Sequence, residues 1–114
     1  MNNILILTDF SDTATNAARY AVNLSQQLGP CHFILYHSFQ LIPIVTDVPI
    51  YTANIADMRA KTEIRLQDLA SDLQLLAVQG SNFEVLADEN SLLMSVPMVK
   101  RKKKARLIVM GVTG

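Results

Sequence analysis

Three short apolar runs constrain this chain more than any other feature: Asn3-Ile-Leu-Ile-Leu-Thr8, His32-Phe-Ile-Leu-Tyr36 and Arg106-Leu-Ile-Val-Met110. Each is continuous rather than alternating, and each is too short to make a buried helix. That is the pattern of strands covered on both faces, as in a parallel sheet. Parallel strands need long crossover connections, and the segments between the runs supply them. Ser11 is placed to cap a helix, with Asp12 in its first turn. Ala14, Ala17, Ala18, Ala21, Val22 and Leu28 then recur at three- and four-residue steps until Gly29-Pro30 stops the helix. Residues 40–53, with Pro43 and Pro49, read as a long apolar connection. Asn54 opens a second helix in which Ile55, Met58, Thr62, Leu66, Leu69, Leu73 and Leu76 keep helical spacing up to Gly80. The stretch from Asn82 to Ala87 alternates, Phe83 and Val85 against Glu84 and Leu86, which suits an edge strand. Residues 90–104 read as a weaker helix, which Pro97 should break or kink unless it lies in the first turn.

The order β-α-β-α-β-α-β predicts an α/β fold: one open parallel sheet with helices on both faces. At 114 residues the chain is read as a single domain, residues 1–114, and its 50% hydrophobic content suffices for a core. Ten basic and ten acidic residues cancel, so the molecule as a whole exerts no pull on nucleic acid or anionic lipid. Six of the ten positive charges fall between Lys100 and Arg106; without accompanying aromatic residues this run reads as a solvated helix face. Cys31 is the only cysteine, which excludes an internal disulfide and a cysteine-based metal site. The apolar start from Ile4 to Leu7 is too short for a secretory signal, and no apolar stretch approaches membrane-spanning length. The expectation is a cytoplasmic protein that engages neither membrane nor nucleic acid.

Ligands of open parallel sheets sit beyond the carboxyl ends of the strands, where the strand order reverses. Polar and glycine residues gather at those ends here: Thr8-Asp-Phe-Ser11, His37-Ser38 and Gly111-Val-Thr-Gly114. The first turn has no glycine, so the dinucleotide fingerprint is absent. Backbone N–H groups of the glycine-bearing turn after the last run can approach a phosphate closely; a plain strand-to-helix turn is the alternative. Asp9 has two readings as well, ligand contact or cap of its own turn. His37 has no serine or cysteine nucleophile and partner acid to work with, so it reads as a strand-end residue. Asp47, Asp57, Glu63 and Asp68 match no metal-site spacing.

The blocks Ile4-Leu-Ile-Leu-Thr-Asp-Phe-Ser11, Phe33-Ile-Leu-Tyr-His37 and Leu107-Ile-Val-Met-Gly-Val-Thr-Gly114, with the Ala-rich helix after the first, resemble the universal stress protein family over essentially the whole chain. The resemblance implies a Rossmann-like sheet of the adenine-nucleotide α-hydrolase type, with strand order 3-2-1-4-5. It implies a module that binds ATP and acts in stress response or signalling, with slow ATP hydrolysis as its most enzymatic possibility. A nucleotide-free protein–protein interaction module, acting as a dimer (a homo-oligomer) or as a scaffold for a partner protein, is the alternative. Carried over residue by residue, it places Asp9 and Ser38 against the adenosine portion and Met110, Gly111 and Gly114 against ribose and phosphates. The family motif continues to a Gly-Ser or Gly-Thr pair that this sequence does not reach. That leads to the expectation of a domain incomplete at its C-terminus, lacking the last helix and strand and half of the phosphate grip. Arg106 stands where the family has an acidic residue, and Pro97 with Lys100–Lys104 departs from its mixed-charge helix.

Overall fold

A computed structural model describes residues 2–38, 52–88 and 92–111, the side chains of 52–55 and 92–95 excepted. Along the chain run β1 (Asn2–Leu7), α1 (Asp12–Asn23), α2 (Ser25–Leu28), β2 (Cys31–Ser38), α3 (Thr52–Gln74), β3 (Asn82–Asp88), α4 (Leu92–Lys103) and β4 (Leu107–Met110). The four strands form one parallel sheet in the order β3-β2-β1-β4. The chain thus steps outward from β1 to β3 and then returns to the far side of β1. The order reverses between β2 and β4, on either side of β1. The expected connection over residues 40–53 lies outside the described residues, except that its last two open α3.

Period-two geometry divides the two central strands between two cores. Ile4, Ile6, Phe33 and Leu35 face α1 and α3, meeting Ala18, Ala21, Val22, Leu66 and Leu73. Leu5, Leu7, Ile34 and Tyr36 face the other way, onto Ala105 with Val96 and Val99 of α4. Fully burying side chains of this size contributes about 1.5–3 kcal/mol each, which sets the strand positions firmly. Small residues on α1 let its axis approach the sheet. Phe33 and Phe83 stack with centroids 5.0 Å apart, tying β3 to β2.

Three local expectations need correction. The first helix does not run to Leu28: it ends at Asn23, and a separate turn of helix follows. The buried Ser25 hydroxyl donates to the Val22 carbonyl (2.6 Å) and accepts from the Val78 N–H (3.0 Å), fixing this break against the turn after α3. Leu28 is consequently exposed. Secondly, Pro97 lies inside α4, beyond its first turn, without ending it. Proline leaves the Leu93 carbonyl without its usual donor; Val96 and Val99 on either side pack on the sheet and hold the helix there. Thirdly, the basic run is not wholly solvated. Lys103 is half-buried and pairs with Glu84 at 2.5 Å, and its carbonyl accepts from the Asn3 side chain.

Candidate functional site

The carboxyl ends of β1, β2 and β4 enclose an open crevice of about 110 Å³, lined by Leu7, Thr8, Asp9, His37, Ser38, Met110 and Gly111. Four of the five residues expected at a site, Asp9, Ser38, Met110 and Gly111, therefore meet in one place. Gly114 lies outside the described residues. The volume matches a base or a phosphoryl group rather than a whole nucleotide, for which pockets run from about 300 Å³ upward. The segments that continue from this rim, residues 39–51 and 112–114, are not among those described. A larger cleft of about 400 Å³, lined by Asn2, Ile4, Leu28, Arg106 and Leu107, lies at the amino ends of β1 and β4. The crevice takes precedence despite its size, because side chains and turn amides converge at the carboxyl edge where the strand order reverses.

The turn after β1 builds one wall. Thr8 N–H continues the ladder onto the Tyr36 carbonyl (2.9 Å), while its hydroxyl accepts from the Phe10 N–H (3.0 Å). Asp9 Oδ1 accepts from the Ser11 N–H at 2.9 Å, and Ser11 Oγ accepts from Ala14 N–H at 3.1 Å as the cap of α1. Both readings of Asp9 are compatible with this: it closes its own turn and still has an exposed carboxylate on the crevice. Hydrogen bonds from the Ser11 hydroxyl and then its N–H hold the Asp9 carboxyl below its ordinary value, with His37 adding a smaller pull. The crevice therefore carries a fixed negative charge near neutral pH.

Phe10 sits at φ 64°, the left-handed region that a bulky side chain rarely adopts. Its neighbours over-determine it. Its N–H is held by Thr8, its ring packs on His37 (centroids 4.7 Å, tilted 51°), and the Arg65 guanidinium covers it at 3.9 Å. His37 in turn donates from Nδ1 to the Thr8 carbonyl at 2.7 Å. The tetrad Thr8, Phe10, His37 and Arg65 was not legible as a unit. Only Thr8 and His37, as strand-end polar residues, carried a signal; Arg65 reaches the turn from a helix more than fifty residues away.

Gly111 forms the opposite wall. An added Cβ there would lie 2.6 Å from the Thr13 carbonyl oxygen and 2.8 Å from Ala14 N. The glycine is thus demanded by the approach of the β4 end to the first turn of α1, which brings that helix N-terminus to the crevice. Among the described residues no group of three or more His, Cys, Asp or Glu side chains is arranged to hold a metal ion. No described helix is long and apolar enough to cross a membrane.

No family model and no curated protein matches the sequence. Solved structures do. The chain is similar to a protein of the universal stress protein family from Burkholderia pseudomallei, with TM-score 0.76 and 20% identity over 97% of this chain and 81% of that one. It is similar to hypothetical protein MJ0577, with TM-score 0.78 and 18% identity over 99% of this chain and 76% of the other. A universal stress protein solved in complex with cAMP aligns with TM-score 0.62 and 11% identity over 94% and 69% of the two chains. The parallel sheet in the order 3-2-1-4, with its helices, is shared architecture at low identity, and the chain has the universal-stress-protein fold.

Proposed function

We propose that the crevice at the ends of β1, β2 and β4 binds an adenine nucleotide, ATP being the physiological ligand, and that the domain works as a nucleotide-responsive module in stress signalling rather than as an enzyme. The observation that carries this reading is convergence. Asp9, Ser38, Met110 and Gly111, taken from three strand ends far apart in sequence, line a single crevice at the reversal of strand order. In this reading Asp9 accepts hydrogen bonds from the adenosine portion, Ser38 offers backbone groups to the base, and Met110, Gly111 and Gly114 serve ribose and phosphates. The cAMP complex of a protein with this fold supports a nucleotide as the ligand class. Calorimetric titration of the chain with ATP, GTP and adenosine tests it. ATP binding that Asp9→Ala weakens about tenfold or more supports the reading, as expected for a charge-assisted hydrogen bond. Absence of heat and of thermal stabilisation with all three ligands would overturn it.

A second reading, association between copies, has its own support. β4 is an edge of the sheet among the described residues, and Leu107 and Met110 are 40% and 54% exposed. Edge strands with exposed apolar side chains are prone to pair. Sedimentation at micromolar concentration distinguishes a monomer from an associated form, with and without ATP.

A further inference from the structure

His37 holds a position in the crevice that the nucleotide reading leaves without a task. Its Nδ1 lies 2.7 Å from the Thr8 carbonyl oxygen, which can only accept, so the hydrogen of that bond belongs to Nδ1. The tautomer is thereby set. Nε2 is the ring nitrogen left with its lone pair, and it has no partner among the described residues. The Phe10 ring packed at 4.7 Å and the Thr8 bond together fix the plane of the imidazole. The side chain lines the same crevice as Asp9, Ser38, Met110 and Gly111.

The charges around it give the ring a purpose. A phosphorylated ligand entering this crevice meets the Asp9 carboxylate, which its Ser11 bonds keep ionised. Like charges at this range oppose binding unless a cation intervenes. Among the described residues that line the crevice, His37 is the one that can become a cation. The charged groups facing it are Asp9 from the turn after β1 and, across the Phe10 ring, Arg65 from α3. From β3, Asp88 is engaged by the Tyr36 hydroxyl at 3.0 Å, and β4 presents only Met110 and Gly111 here. A neutral imidazole with hydrogen on Nδ1 offers Nε2 as a lone pair, which repels a phosphate oxygen. The imidazolium offers Nε2–H, a charge-assisted donor to the same oxygen.

We propose that His37, through Nε2, is the side chain of this crevice that contacts the phosphate of the nucleotide, beside the backbone of the Met110–Gly111 turn, and that binding a phosphorylated ligand is accompanied by uptake of a proton from solvent onto that nitrogen. The proposal rests on the nucleotide reading above and deepens it. Phosphate recognition is made conditional on pH by a ring whose type changes charge between roughly pH 5 and 8.

The test titrates the chain with cAMP and with adenosine across that range. cAMP is a suitable probe because a phosphodiester keeps one negative charge throughout, whereas a phosphomonoester titrates near about pH 6 and would confuse the slope. The expected result is cAMP binding about tenfold tighter at the acid end than at the alkaline end, the size of one charge-assisted bond. Adenosine binding should change less than about twofold over the same range, there being no phosphate to meet the imidazolium. Calorimetry near neutral pH in two buffers of different ionisation heat should show net proton uptake with cAMP. His37→Asn keeps a donor near the Thr8 carbonyl but lacks Nε2, and its cAMP profile should be flat. If that variant does not fold, the comparison of cAMP with adenosine on the parent chain decides alone. A flat cAMP profile, equal slopes for the two ligands, or tighter cAMP binding at the alkaline end overturns the inference while leaving the nucleotide reading in place. Failure of cAMP and adenosine to bind at any pH overturns the inference, and the nucleotide reading falls with it only if ATP also fails to bind.

Discussion

Gly111 at the end of β4 and Thr13 in the first turn of α1 stand so close that a single methyl group on the glycine would lie 2.6 Å from the Thr13 carbonyl oxygen. The obstacle is backbone of a capped helix, which has no rotamer to change. Gly111→Ala should therefore destabilise the domain by about 1–3 kcal/mol, the usual cost of overpacking, with or without any ligand. Denaturant melts of the variant check this. A melt equal to that of the parent would mean that β4 shifts freely on α1. A loss of nucleotide binding in this variant would not by itself assign Gly111 to the ligand, because its packing role is sufficient reason for the glycine.

Ser11 couples the start of α1 to the charge of the crevice. Its Oγ accepts from Ala14 N–H, and its hydroxyl and N–H both serve Asp9. Ser11→Ala should cost about 1 kcal/mol of stability through the lost cap. It should also raise the titration midpoint of Asp9, since the largest cause of its lowering is removed. Carboxyl carbon shifts followed by NMR through the acid range report that midpoint directly. An unmoved Asp9 would show that its turn N–H alone sets the charge.

Glu84 links two half-buried side chains of the sheet face, the Lys103 ammonium at 2.5 Å and the His32 ring at 3.0 Å, and His32 also bonds Asn82. Burial pushes the Glu84 carboxyl up, but the Lys103 and His32 bonds outweigh it and hold it below its ordinary value. A carboxyl lowered on folding contributes stability above its unfolded value, lost as pH falls through the folded one. Glu84→Gln should therefore be less stable than the parent near neutral pH, and the difference should shrink below about pH 4. A difference that stays constant through the acid range would dissociate Glu84 from this linkage.

The same pair separates two neighbouring lysines. Lys102→Glu, on the exposed side of α4, should change stability by less than about 0.5 kcal/mol. Lys103→Glu places two carboxylates together in a half-buried position and should cost about 1–3 kcal/mol. Equal melts for the two variants would remove Lys103 from the packing of α4 on the sheet.

Much of this architecture was legible because strands buried on both faces leave an unmistakable trace. The runs through Ile4–Leu7, Phe33–Tyr36 and Leu107–Met110 became β1, β2 and β4, and the Ser11 cap stands where it was expected. What sequence concealed depends on partners distant along the chain. Ser25 breaks the first helix by bonding Val78, fifty-three residues on. Pro97 is tolerated because its neighbours pack on a sheet face that local propensity cannot see. Lys103 looked solvated until Glu84 faced it from β3. At the site, the strand ends identified which residues would meet, but not that Gly111 is required by α1 or that Phe10 is held at φ 64° between His37 and Arg65.

The most direct test of the central claim is an amide NMR titration of the chain with ATP. A nucleotide in the crevice should move the N–H signals of Asp9, Ser38, Met110 and Gly111 together, along one saturating curve, while those of Ser25 and Ser81, by the amino end of β2, stay still. Absence of any shift at millimolar ATP, or shifts confined to Leu28, Arg106 and Leu107 around the cleft at the other end of the sheet, would contradict it.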